Sequence, residues 1–171
     1  MRGLLAEAAR RKVFRFAMLY VVAYLVMIHV LRFMDSVQHD YPYSPTLFDY
    51  VPAPHKGDRV WEQRHTFSNP LSLRFQRLNW LTLNFGFHNA HHADMNVPWY
   101  RLPALHAALT DGDPDRVIPL KAQLALYHRN RVARVCNPQP DDYPQGEEYL
   151  RAARTGEAAI GGNAASFLTS F

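Results

Sequence analysis

Three imidazoles fall within five residues of this 171-residue chain, at His88, His91 and His92 of His88-Asn89-Ala90-His91-His92. On a helix each residue advances by about 100°, so positions i, i+3 and i+4 share one face. His91 and His92 can both reach toward whatever His88 faces, while diverging from each other by one residue's rotation. The set suits one metal ion or two adjacent ones. A surface cluster or a tag would have similar composition, but an apolar run leads in from Leu78 and Val97-Pro98-Trp99 leads out, so the box belongs to a folded segment. Imidazole is a donor for Zn, Cu, Fe and Ni. The single Cys136 can build neither a thiolate site nor an internal disulfide, which fits a reducing compartment. Any metal must therefore be held by imidazole and oxygen. A zinc hydrolase would want a nearby carboxylate as base. Asp94 is the only one close in sequence, and no E-x-x-H pair is present. The other option is a redox metal, because attack on an unactivated C–H bond takes activated dioxygen, which side chains alone do not supply.

Several elements must position this box. Residues 1–12 are a short basic lead, and residues 13–31 are apolar apart from Arg15. That run has about the length of a membrane-spanning helix, roughly 20 residues. It is not followed by the small-x-small site of a cleaved signal peptide. Arg2, Arg10, Arg11 and Lys12 precede it, and Arg32, Lys56, Arg59 and Arg64 follow. Taken alone, the closer cluster favours an inside N-terminus. Hydrophobic residues make up 48% of the chain and the formal charge is +4. A mildly basic chain with an apolar run points to an anionic membrane surface. No C2H2 spacing, Arg-rich helix or RNP-like aromatic pair suggests a nucleic-acid partner.

His39 lies eight residues past Leu31, close enough to the membrane face to join a site there. Pro42, Pro45, Pro52 and Pro54 make 41–60 an irregular loop in which His55 is solvated. Residues 61–77 become ordered, with Asn69-Pro70 a turn or helix start. Residues 78–87 read as an amphipathic or half-buried helix in the interface that carries the box at its C-terminal end, with Asn84 one turn ahead of His88. Residues 102–109 read as a short helix with His106 in core packing. After the Asp111-Gly112-Asp113-Pro114 turn, residues 115–135 read as an amphipathic helix with Val117, Leu120, Leu124, Tyr127 and Val135 as its apolar stripe. Asn137-Pro138-Gln139-Pro140 ends it, and the tail is polar, then Gly- and Ala-rich. No repeat, phosphate-cradling loop or nucleophile elbow is present.

HNAHH, preceded by LNWLTLNFG and followed by VPWYRLPALH, resembles the third histidine box of the membrane fatty acid desaturases. Arg32-Phe33-Met34-Asp35 with Gln38-His39 resembles the segment after the last membrane helix in bacterial members, and the ending Ser166-Phe167-Leu168-Thr169 is similar too. The resemblance implies a mainly α, four-helix membrane fold with a di-iron centre at the cytoplasmic face of the inner or plasma membrane. Here the fold would be a fragment: one transmembrane helix at 13–31, then a cytoplasmic-face part at 32–171 that carries the box among irregular loops. Such enzymes use dioxygen and two electrons to set a cis double bond into a fatty acyl chain. His88, His91 and His92 would be iron ligands, and His39 the additional ligand between the last helix and the box. No catalytic residue beyond these ligands is implied. The family's HxxxH box and earlier HxxHH box are absent, and His29 has no histidine partner at either spacing. The chain is thus expected to be a C-terminal portion with an incomplete di-iron ligand set, inactive alone and in need of an N-terminal half. Missing upstream helices would set its topology and override the local charge vote. No His-Pro-Gly-Gly heme motif is present, so electrons would come from a separate ferredoxin or cytochrome. Related hydrocarbon or carotenoid hydroxylases and ketolases share such boxes, and a non-catalytic remnant is a further alternative. The WYRLP and SFLT stretches favour acyl desaturation.

Overall fold

The computed structural model describes residues 2–40, 55, 57–130 and 144–157. Expectations for 41–54, Val135, Cys136, 137–140 and the Ser166 to Thr169 ending lie outside them. Among the described residues the protein is mainly helical, with two isolated β-bridges and no strand. It divides into two compact units, Met1–Phe33 and Met34–Phe171.

Helix α1, Arg2–Asp35, makes up nearly all of the first unit. Within Arg10–Asp35 an 18-residue window has mean hydropathy 2.0, and none of that window is buried. At 1.5 Å per residue Arg10–Asp35 is about 39 Å long, more than the roughly 30 Å of a bilayer's hydrocarbon core. Among the described residues it is the one helix long and apolar enough to cross a membrane. Val13, Phe14, Phe16, Leu19 and Tyr20 are exposed, as are Leu25 and Val26 a turn or two later, so apolar surface surrounds the helix. A helix apolar all round is stable where its surroundings are apolar.

The second unit contains α2 (Arg59–Arg64), α3 (His88–Ala93), α4 (Leu102–Thr110), α5 (Leu120–Asn130) and α6 (Glu147–Thr155). Its larger core joins Val37, Phe67, Ile118, Ala122, Leu126, Tyr149, Leu150 and Ala153. A smaller core of Phe87, Ala90 and Leu102, flanked by Val97 and Leu105, fastens the box helix α3 to α4.

Three sequence expectations change. First, the box does not end a helix that begins at Leu78. A 3-10 turn at Gln76–Thr82 stops at Leu83 and Asn84, whose φ values of 49° and 56° lie in the left-handed region. The helix cannot continue through that region, so α3 starts afresh at His88. Second, the helix expected at 115–135 begins at Leu120. Pro119 holds the residues before it extended, and Ile118 N–H donates to the Ser68 carbonyl at 2.8 Å instead. The buried face of α5 is Ala122, Gln123, Leu126 and Asn130, while Leu124 is exposed. Third, the polar tail contains α6. Glu147 and Glu148 in its first turn and Arg154 in its last complement the helix dipole, and Tyr149, Leu150 and Ala153 face the core.

Candidate metal centre

Residues 65–69 hold the two histidine-bearing segments side by side. On one edge His39 forms an antiparallel bridge with Thr66, and Phe67 N–H donates to the Gln38 carbonyl at 2.8 Å. On the other edge Asn69 N–H donates to the Gly86 carbonyl at 2.7 Å. A Cβ on Gly86 would lie 2.8 Å from Pro70 Cα and 2.9 Å from the Asn69 carbonyl oxygen, so only glycine fits this close approach. The buried Asn69 side chain completes the clamp, donating from Nδ2 to the Met34 carbonyl at 2.7 Å and accepting from Gln38 Nε2 at 2.9 Å. The box helix is pinned from behind by Asn89, whose Nδ2 donates to Gln63 Oε1 at 2.8 Å, while Gln63 Nε2 donates back to the Asn89 carbonyl at 3.1 Å.

This scaffold brings the Nε2 atoms of His39, His88 and His92 together. His39 and His88 are 3.2 Å apart, His39 and His92 3.2 Å, and His88 and His92 3.1 Å. The helical i, i+4 relation supplies the last pair, and the turn after α1 supplies the third ring. Each neutral imidazole Nε2 either carries a proton or offers a lone pair. Three such atoms in a closed triangle cannot alternate donor and acceptor, so at least one contact sets like against like. A cation accepting all three lone pairs removes that conflict. Two nitrogens on one ion at about 2.0–2.1 Å lie roughly 3 Å apart, so the donor set fits a transition-metal ion.

The electrostatics favour the same protonation state. His88 is held well below the ordinary imidazole range, first by burial and then by the neighbouring His39, His92 and His91. His92 is lowered to about 4, again mainly by burial, with His39 and His91 adding to it. Both rings are therefore neutral near pH 7 and present lone pairs. The Asp35 carboxylate lies 3.7 Å from His39 Nδ1, on the ring edge opposite Nε2. At that distance the carboxylate faces the ring without a hydrogen bond and favours this orientation electrostatically.

The other candidates lie outside this triangle. The His91 ring sits 5.9 Å from His88 and 6.0 Å from His92, centroid to centroid, and leans on Phe85 at 4.8 Å. Asn84 is not a turn ahead of His88 on one helix; it sits in the left-handed bend, and its Nδ2 donates to the Trp99 carbonyl at 3.1 Å. His106 is buried, 3.3 Å from Ser68 Oγ and packed on Phe87. His55 is half-buried and stacks on Trp61 at 4.4 Å.

Several supporting residues escaped the sequence reading. The fully buried Asp40 accepts from Gly146 N–H and lies 2.8 Å from His65 Nδ1. Burial pushes its carboxyl up, against the opposing pull of Gly146 and His65. Asp40 thereby ties the segment next to His39 to the start of α6. Asn89 was visible inside the box itself, as a polar residue between helical ligand positions.

A family model described as fatty acid desaturase matches residues 3–123, a span that includes all of α1 but Arg2, the box and α4. No curated protein and no solved structure matches the chain.

Proposed function

The chain belongs to the fatty acid desaturase family, and on that premise we propose that His39, His88 and His92 form one wall of a di-iron centre, with His91 a donor to its second iron. The observation that carries this reading is the closed triangle of Nε2 atoms at 3.1–3.2 Å, which hydrogen bonding cannot satisfy and a metal ion can. Bound iron would supply the activation of dioxygen that, with two electrons and two protons, removes two hydrogens from an acyl chain to leave a cis double bond and two waters. The protein's own part is positional. His88 and His92 stay neutral, Asp35 steadies the His39 ring, and the Asn69 and Asp40 clamps fix the turn that carries His39. In this reading α1 anchors the chain in the inner or plasma membrane with the site at the cytoplasmic face. The substrate is a fatty acyl chain, and electrons arrive from a ferredoxin or cytochrome.

Four imidazoles cannot saturate two irons that each take about four to six donors. The remaining donors come from histidine boxes on a partner segment, and the chain alone is inactive. The test is to co-express the chain with a segment that supplies HxxxH and HxxHH boxes, add iron, ferredoxin and its reductase, and supply deuterated acyl chains. The expected product is a cis-unsaturated chain that has lost two deuterium atoms, formed only when both pieces are present. A hydroxylated product from the iron-loaded assembly overturns the desaturase assignment. Desaturation with stoichiometric di-iron by the chain alone overturns the ligand deficit.

A further inference from the structure

We propose that segment 73–85, with Trp99 and Tyr100, is an interfacial element that lies in the headgroup–acyl boundary of an anionic bilayer. The segment is inside-out by the standard of a water-facing surface. Within it the polar Asn79 and Asn84 are buried, while Leu73, Phe75, Leu78, Trp80, Leu81 and Leu83 are exposed, Leu81 by 80%. Asn79 fixes this arrangement, accepting from Ser72 N–H at 3.1 Å and donating from Nδ2 to the Ser72 carbonyl at 2.7 Å. In the 3-10 turn, residues three apart eclipse, so Leu78 and Leu81 present one apolar ridge. Leu83 sits at φ 49°, a conformation leucine rarely adopts, with its side chain still outward.

Trp80 meets Trp99 edge-on at 6.1 Å, and Trp99 meets Tyr100 at 5.9 Å, grouping the amphipathic aromatics that favour a membrane interface. The occupant is argued from charge. No Asp or Glu occurs between Glu62 and Asp94, whereas Arg74 and Arg77 flank the ridge, and the Arg74 guanidinium lies over the Phe75 ring at 5.1 Å. Exposed leucines with arginines and no acid match anionic headgroups over acyl chains. The chain also continues directly from α1, which ends at Asp35, into this unit. The proposal rests on α1 being a membrane span.

The test places a polarity-sensitive fluorophore on Leu81→Cys in a Cys136→Ser background of the full chain, in vesicles containing anionic phospholipid. Labels at Leu25→Cys in α1 and Leu109→Cys in α4 are the references. The expected result is blue-shifted emission at Leu81, more than half quenched by lipids brominated near the acyl carbonyl, with little quenching at Leu109. Arg74→Gln with Arg77→Gln should reduce the Leu81 quenching. Quenching at Leu25 with water-like emission at Leu81 overturns the proposal and leaves the anchor intact. A blue shift at Leu81 without bromolipid quenching means protein covers the ridge, and overturns it as well. None of these readouts depends on iron.

Discussion

Asn69→Ala tests whether the metal-site geometry is held by one buried amide. The substitution keeps the Asn69 N–H bond to Gly86 but removes two side-chain bonds, to Met34 O at 2.7 Å and from Gln38 Nε2 at 2.9 Å. Asn69 and Gln38 are both almost fully buried, so their former partners cannot turn to water. A buried polar group left without a partner costs about 1–3 kcal/mol, which gives a loss of roughly 2–6 kcal/mol for the pair of bonds. A typical folded domain has about 5–15 kcal/mol to lose. Urea unfolding of the full chain in detergent, followed by tryptophan fluorescence, should show the midpoint fall at unchanged slope. A cycle with Gln38→Ala should give a coupling of about 0.5–3 kcal/mol, because the two side chains share one bond. An Asn69→Ala chain within about 0.5 kcal/mol of the parent would refute the clamp.

Other consequences follow from the same geometry. Gly86→Ala drives a Cβ to 2.8 Å from Pro70 Cα, a backbone atom that cannot rotate aside, and should cost about 1–3 kcal/mol by overpacking, read as a lower urea midpoint. In the metal-free chain, the unfolded state takes up protons near pH 6.5 while His92 resists until about pH 4. Stability should therefore rise with pH across that window and level off above it, a change of roughly 3 kcal/mol from His92 alone. Flat unfolding midpoints between pH 4 and 7 would contradict the burial of that ring. Asp35→Asn removes the carboxylate 3.7 Å from His39 Nδ1 and should weaken metal binding by less than the roughly 10–100-fold that follows loss of a hydrogen-bonded carboxylate, as read by metal titration. Unchanged affinity would remove Asp35 from the account.

Local pattern made part of this architecture legible. A long run with one charge reads as a long apolar helix, and α1 is one. The i, i+4 spacing of His88 and His92 is enough to place two rings on one face. Harder to see were the features that depend on distant partners. The bend at Leu83 and Asn84 carries no glycine or proline at those positions, so the run from Leu78 reads as a continuous helix; the close approach of Gly86 to Pro70 and the inward bonds of Asn79 explain the break. Pro119 was a local signal for the delayed start of α5, outweighed by an apolar periodicity that put the exposed Leu124 in the buried stripe and left out Ala122 and Leu126. Residues 65–69 look like a turn in sequence, yet they are the spine between His39 and the box, because their role lies in hydrogen bonds to segments about 17–50 residues away. Asp40 and His65 meet only through the folded chain, and no spacing rule joins them.

The central claim is that His39, His88 and His92 share one metal ion. Its most direct measurement is an anaerobic titration of the purified full chain with Fe2+ or the spectroscopic substitute Co2+ at pH 7, repeated on His39→Ala, His88→Ala, His92→Ala and His91→Ala. The account predicts one weakly held ion per chain with nitrogen ligands. Each of the first three substitutions should abolish binding or cut it by more than the roughly 10–100-fold typical of an outer partner, while His91→Ala leaves this ion in place. A parent chain that binds no ion, or a His39→Ala chain that binds as tightly as the parent, would contradict it.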